Sequence, residues 1–209
     1  MRKITISIAI TILIMSELFL LKTNYSLRTE LIIKNAENMK LTDINATLKP
    51  QYAIWIKNNG KHLSPNIELK DISGNTIFIK QQIRSMDERV LICIISESFC
   101  DECVEYAINI IENLKRKYKT DNVMFLSENE SQKTFKMYVD KFGLQDAKIF
   151  RCQTLGIPAD NIMMPYCIAV DCSLEVLGIY VPNRASRHLD IDSVNINMLY
   201  NQCVCMETK

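Results

Sequence analysis

Val90-Leu91-Ile92-Cys93-Ile94-Ile95 runs into Ser96-Glu97-Ser98-Phe99 and then Cys100-Asp101-Glu102-Cys103. The reading of this stretch decides the fold. Six consecutive apolar residues, mostly β-branched, are the pattern of a strand buried on both faces. Beyond Cys103 the period changes. Val104, Ile108, Ile111 and Leu114 are apolar, while Glu105, Asn109, Glu112 and Lys115 are polar, which predicts an amphipathic helix over about 101–118. A CxxC at the join of strand and helix puts its first thiol at a helix N-terminus. Free N–H groups and the helix dipole there favour a thiolate. A second thiol one turn away can resolve whatever disulfide the first one forms, so the pattern implies disulfide exchange.

Working outward, further elements follow. Val123-Met124-Phe125-Leu126 reads as another buried strand. Ser131 to Phe142 reads as a helix with Phe135, Tyr138, Val139 and Phe142 on one side, stopped by Gly143. Tyr166–Val170 and Val176–Tyr180 read as paired strands about the turn Asp171-Cys172-Ser173, and Asp190–Gln202 as a final helix. Upstream, Tyr52-Ala53-Ile54-Trp55-Ile56, Asn66–Lys70 and Thr76–Ile79 read as short strands. The turn residues Asp71-Ile72-Ser73-Gly74-Asn75 make a hairpin of the last two. The order predicts an α/β fold, a mixed sheet with helices on both faces.

The 209 residues are 48% hydrophobic and 23% charged, with a net charge of +1. That is a globular composition with a core of ~100–150 residues and something left over. No basic stripe with interleaved aromatics appears, which argues against nucleic acid as a partner. The remainder is N-terminal. Arg2-Lys3 precedes Ile4–Met15, Ser16-Glu17 interrupts, and Leu18-Phe19-Leu20-Leu21 resumes. The run is short against the ~20 apolar residues of a typical span but lies within the range. No small-x-small cleavage site stands between Met15 and Lys22, and no cysteine suited to a lipid anchor precedes residue 90. The expectation is an uncleaved signal-anchor over 1–22, a stalk over 23–50 closed by Lys49-Pro50, and an exported domain over 51–209, where disulfides persist.

With these elements in place, the chain resembles the thioredoxin superfamily, in particular its membrane-anchored TlpA/ResA-like branch. The residues carrying the resemblance are the anchor, the hairpin Pro65–Asn75, Phe99-Cys100-Asp101-Glu102-Cys103 after the central strand, and Met164-Pro165 just before the next strand. The resemblance covers about residues 60–200, and the length between Cys103 and Pro165 suits a branch with an extra strand and helix there. It implies a thioredoxin-like sheet with an N-terminal hairpin extension. It also implies that Cys100 attacks, that Cys103 resolves, and that Phe99, Met164 and Pro165 bind substrate, with Phe99 as an apolar lip and a cis Met164-Pro165 bond facing the CxxC. No cofactor is implied. The implied partners are exported cysteine-containing clients, a membrane or periplasmic electron donor, and the membrane itself, with a bacterial periplasm as the location.

Departures from the family set the expected direction. Ile94 stands where an acidic residue often lies, and Tyr106 where some anchored members have glutamate. Asp101 and Glu102 near the helix start oppose a thiolate. The chain therefore leans toward a reductant or isomerase. A peroxiredoxin-like peroxidase and a redox-inactive binding module are the alternatives. Cys93 and Cys167 alternate with branched apolar residues and read as core. Cys152 and Cys172 lie in turn-like segments and read as exposed. Cys203-Val204-Cys205 could pair with each other, cross-link, or join Cys100 and Cys103 about a zinc ion, although helix-start geometry already accounts for the first pair. No metal site is expected, and His62 and His188 have no partner pattern.

Overall fold

The computed structural model describes residues 2–86, 89–129, 131–183 and 199, with the side chains of 2–14 outside that description. The chain forms two compact units, Met1–Ala46 and Thr47–Lys209. The first is helical throughout its described length, as part of α1 (Arg2–Asn58). Its apolar side chains are exposed, from Leu18, Phe19, Leu20 and Leu21 to Leu31 and Ile32. Among the described residues no helix is long and apolar enough to cross a membrane. The Ile4–Ile14 side chains that dominate the apolar run lie outside them.

In the second unit α1 continues through Pro50 to Asn58, so Lys49-Pro50 does not close the helix and 52–56 is not a strand. The alternative periodicity won. Ile54, Trp55 and Asn58 fall on one helical face, with Ile54 and Trp55 packed on the sheet and Asn58 buried, whereas Tyr52 and Ile56 point to solvent. Buried Asn58 is satisfied at both ends: its amide donates to the Ile54 carbonyl at 2.8 Å and its Oδ1 accepts the Ala159 N–H at 2.9 Å.

The sheet has seven strands in the order β2-β1-β5-β4-β3-β6-β7. β1 (Glu68–Lys70) and β2 (Thr76–Phe78) form the expected hairpin. Asp71 holds its turn by accepting both the backbone N–H and the side-chain amide of Asn75, and these bonds hold its carboxyl below the ordinary range. Ile79 leaves the strand and opens a short helix, α2 (Ile79–Arg84), burying Ile79 and Ile83. At the centre, β3 (Arg89–Ser96) pairs in parallel with β4 (Val123–Glu128), which pairs in parallel with β5 (Ile149–Arg151). On its other side β3 pairs antiparallel with β6 (Tyr166–Asp171), and β6 with β7 (Val176–Tyr180).

α3 (Asp101–Tyr118) and α4 (Gln132–Lys141) cross over between the parallel strands. Both pack on one face, over Leu91, Cys93 and Ile95. The opposite face, with Ile92, Ile94 and Leu126, is covered by the helix end at Ile54 and Trp55, by α2, and by the segment 152–164. Every β3 side chain from Val90 to Ile95 is at most 1% exposed, as the unbroken apolar run requires. Of the expected helix over 190–202 only Leu199 is described, helical and buried. Cys203 and Cys205 lie outside the described residues.

Candidate active site at the start of α3

The chain leaves β3 at Ser96 and turns tightly. Ser98 N–H donates to Ser96 Oγ at 3.2 Å, Phe99 N–H to the Ser96 carbonyl at 3.1 Å, and the two serine hydroxyls lie 2.8 Å apart. Tyr138 of α4 braces the turn from beneath, its hydroxyl donating to the Ser96 carbonyl at 2.9 Å in a buried position. Burial first, and then the Asp101 carboxylate, pushes the Tyr138 phenol up, so it stays a donor.

Cys100 caps α3. Its backbone is extended (φ −65°, ψ 134°) and its Sγ accepts the Cys103 N–H at 3.2 Å. That N–H is one of the unpaired donors of a helix's first turn, and in the dithiol form it faces the charge of a Cys100 thiolate. Cys100 and Cys103 are joined in a disulfide, with Cα atoms 5.3 Å apart. Cys100 is exposed and Cys103 half-buried, the asymmetry an attacking and a resolving thiol need. Asp101 is exposed and its carboxylate meets Lys141 at 2.6 Å, so part of the charge opposing a thiolate is neutralised from α4. Glu97, Glu102 and Glu105 are exposed.

Two expected substrate residues sit differently. Phe99 is no lip: it is 7% exposed and packs in the core with Val104 and Ala107. A phenyl ring just before a helix finds more apolar area beneath it than beside the disulfide. Met164-Pro165 is not cis, since no peptide bond among the described residues is. Pro165 is buried, directly before Tyr166, which pairs with Ile94; this brings the proline to the end of β3 that leads to the CxxC. The backbone reaches the strand through the trans form, which an X–Pro bond takes unless its surroundings stabilise cis by about 0.5–1 kcal/mol.

That approach is organised by Asp160, which the sequence reading missed. Its Oδ2 accepts the Leu155, Gly156 and Ile157 N–H groups and the Thr154 hydroxyl, and its Oδ1 accepts the Tyr166 hydroxyl at 2.7 Å. Glu128 was missed as well. It ends β4, opposite Ser96 in the parallel register, and burial, then the Asp160 charge, raises its carboxyl to about 7. Beside it Cys152 is buried, not exposed as expected, and burial pushes its thiol up to about 12. The available signal was positional: polar residues just past the carboxyl ends of parallel strands line the crevice where α/β proteins place their sites.

Cys93 and Cys167 are wholly buried and face each other across β3 and β6. A thiol–thiol hydrogen bond, then burial, raises Cys167. Cys172 is exposed. Among the described residues no cluster of three metal-ligating side chains forms.

No family model and no curated protein matches the chain. Solved structures do resemble it. An Aquifex aeolicus VF5 protein, provisionally named an electron transfer protein, superposes with a TM-score of 0.53 at 11% identity, over 72% of this chain and 97% of its own. A thiol:disulfide interchange protein of Bacteroides sp. follows with a TM-score of 0.49 at 11% identity, covering 72% and 97%. A thiol-disulfide oxidoreductase of Bacteroides fragilis has a TM-score of 0.43 at 14% identity, covering 62% and 98%. The fold is thioredoxin-like.

Proposed function

We propose that this chain is a membrane-anchored thiol–disulfide oxidoreductase that acts on exported proteins through Cys100 and Cys103, as a reductant or isomerase. One observation carries the reading. The disulfide caps a helix at the carboxyl edge of a thioredoxin-like sheet, with its first sulfur exposed, its second recessed, and a helix N–H aimed at the first. In the dithiol form, the Cys100 thiolate attacks a client disulfide and releases one client thiolate. Cys103, after losing its proton, displaces the second client sulfur and closes the Cys100–Cys103 bond. Two electrons pass to the client. An external dithiol donor on the exported side restores the pair.

The anchor rests on Arg2-Lys3, held inside, and the apolar run to Leu21, whose described part, Met15 to Leu21, presents Leu18, Phe19, Leu20 and Leu21 outward. Asp101 and Glu102 in the first turn of α3 support the reducing direction, because each disfavours the thiolate that makes a strong oxidant.

The test is trapping. Cys103→Ser should accumulate mixed disulfides between Cys100 and exported proteins, while Cys100→Ser should accumulate few. Equal trapping by both variants overturns the assignment of attacker and resolver. A second reading, a redox-inactive binding module with a structural disulfide, is favoured by the trans Met164-Pro165 bond, which leaves the pair without the substrate platform expected there. Absence of turnover with any disulfide, together with a Cys100–Cys103 bond that resists reducing agents, would establish that reading instead.

A further inference from the structure

Cys93 of β3 and Cys167 of β6 are direct partners in the antiparallel register. Residues opposite each other in such a pair point to the same face, with Cα atoms about 4.5–5.5 Å apart. Two cysteines can be bridged when their Cα atoms lie about 4.4–6.8 Å apart. Both side chains lie on the face that α3 and α4 cover, and both are wholly buried. The two thiols share a hydrogen bond. The structure holds them free, while Cys100 and Cys103 are joined. Cys152 lies on the opposite face of the sheet and Cys172 is exposed in the turn after β6, so neither competes for this position. One buried cysteine is a small apolar side chain and needs no further account. Two in direct register already occupy the places that a cross-strand disulfide requires.

We infer that Cys93 and Cys167 are a second redox pair, which closes into a cross-strand disulfide while the chain folds with a small disulfide as oxidant. One protein thiolate attacks the oxidant RSSR, forms a mixed disulfide and releases RS⁻. The other protein thiol loses its proton, displaces the second RS⁻ and closes the Cys93–Cys167 bond. The two protein thiols lose two electrons and two protons, and the oxidant becomes two RSH. The step belongs to folding, because the closed core leaves both sulfurs without access to oxidant or reductant. The bond ties the strand that delivers the CxxC turn to the strand that Pro165 enters, and so braces the site from beneath. It goes beyond the disulfide-exchange reading and does not depend on it.

The full chain is unfolded in urea with dithiothreitol, freed of reductant, and refolded in a mixture of reduced and oxidised glutathione. Free thiols are then blocked in urea, and the disulfides are mapped by mass spectrometry. Most molecules should yield a peptide pair linked through Cys93 and Cys167. Chain refolded with dithiothreitol present should keep both thiols free, as in the structure, and release them to alkylation only on unfolding. Once formed, the bond should be reduced by dithiothreitol at least a hundredfold more slowly in the native protein than in urea. Free Cys93 and Cys167 after oxidative refolding, or either one joined to another cysteine, overturns the inference and leaves two core thiols.

Stability gives an independent reading. The bond closes a long loop, from residue 93 to residue 167, and constrains the unfolded chain. The glutathione-refolded protein should therefore unfold at a urea midpoint about 1–2 M above the same protein refolded with dithiothreitol and then oxidised only at Cys100 and Cys103. Of Cys93→Ala, Cys167→Ala and the double variant, the double should lose far less than the sum of the singles when oxidised, because all three remove one shared bond. Under reductant its loss should approach that sum. Losses that add in the oxidised protein overturn the inference.

Discussion

Replacing Glu128 by glutamine should stabilise the protein at alkaline pH and leave it nearly unchanged in acid. Glu128 sits half-buried at the end of β4, and burial with the neighbouring Asp160 charge raises its carboxyl from 4.5 to about 7. A raised acid binds its proton more tightly folded than unfolded. Stability therefore falls as pH rises from 4.5 through 7, and the loss is complete above that window. The full difference corresponds to roughly 3 kcal/mol. Solvent still reaches the group, and discounting for that leaves about 1–2 kcal/mol. Glutamine keeps the size and hydrogen-bonding capacity of the neutral acid and never ionises. Urea unfolding, followed by the fluorescence of the single tryptophan, Trp55, packed on the sheet, gives the assay. At pH 8.5 the Glu128→Gln midpoint should lie about 0.5–1 M higher than the parent's, given a slope of ~1–3 kcal/mol/M. Near pH 4 the two midpoints should almost coincide. Equal midpoints at pH 8.5, or a variant weaker at both pH values, would show that Glu128 ionises freely, and the argument from burial would fail.

Four other outcomes are expected. Native alkylation at pH 8 read by mass spectrometry should label Cys172 and spare Cys93, Cys152 and Cys167 until the protein is unfolded. The last three are buried, and a Cys152 thiol near 12 is only ~10⁻⁴ ionised there. Tyr138→Phe, which removes one of the two donors to the Ser96 carbonyl and leaves Phe99 N–H, should cost about 0.5–1.5 kcal/mol in urea unfolding. Lys141→Ala, which breaks an exposed ion pair with Asp101, should cost under about 1 kcal/mol. If residues 1–22 anchor the chain, the full-length protein should stay with membranes through an alkaline carbonate wash, and a chain starting at residue 23 should not. Release of both by the wash would refute the anchor.

The sequence by itself determined the central frame. A short, mostly β-branched apolar run ended by Ser96–Ser98 reads as a strand covered on both sides, and the 3.6-residue pattern beyond it reads as a helix with one buried face, so β3, the CxxC turn and α3 could be read locally. The same held for α4 and for both hairpins, whose turns are held by their own side chains, such as Asp71 and Asp171. Only the tertiary structure decided the rest. Tyr52–Ile56 fits strand and helix alike, and the sheet face waiting for Ile54 and Trp55 chose the helix. Cys152 looked exposed in a linear reading and the family resemblance made Phe99 a lip, but the layers packed around them bury both. The Met164-Pro165 isomer was set by how the 152–164 segment reaches β6, not by the two residues. Glu128 and Asp160 are distant in sequence from the CxxC. What joins Glu128 to Ser96 is the parallel register of β3 and β4, and a register between strands is a long-range pairing that no local pattern encodes.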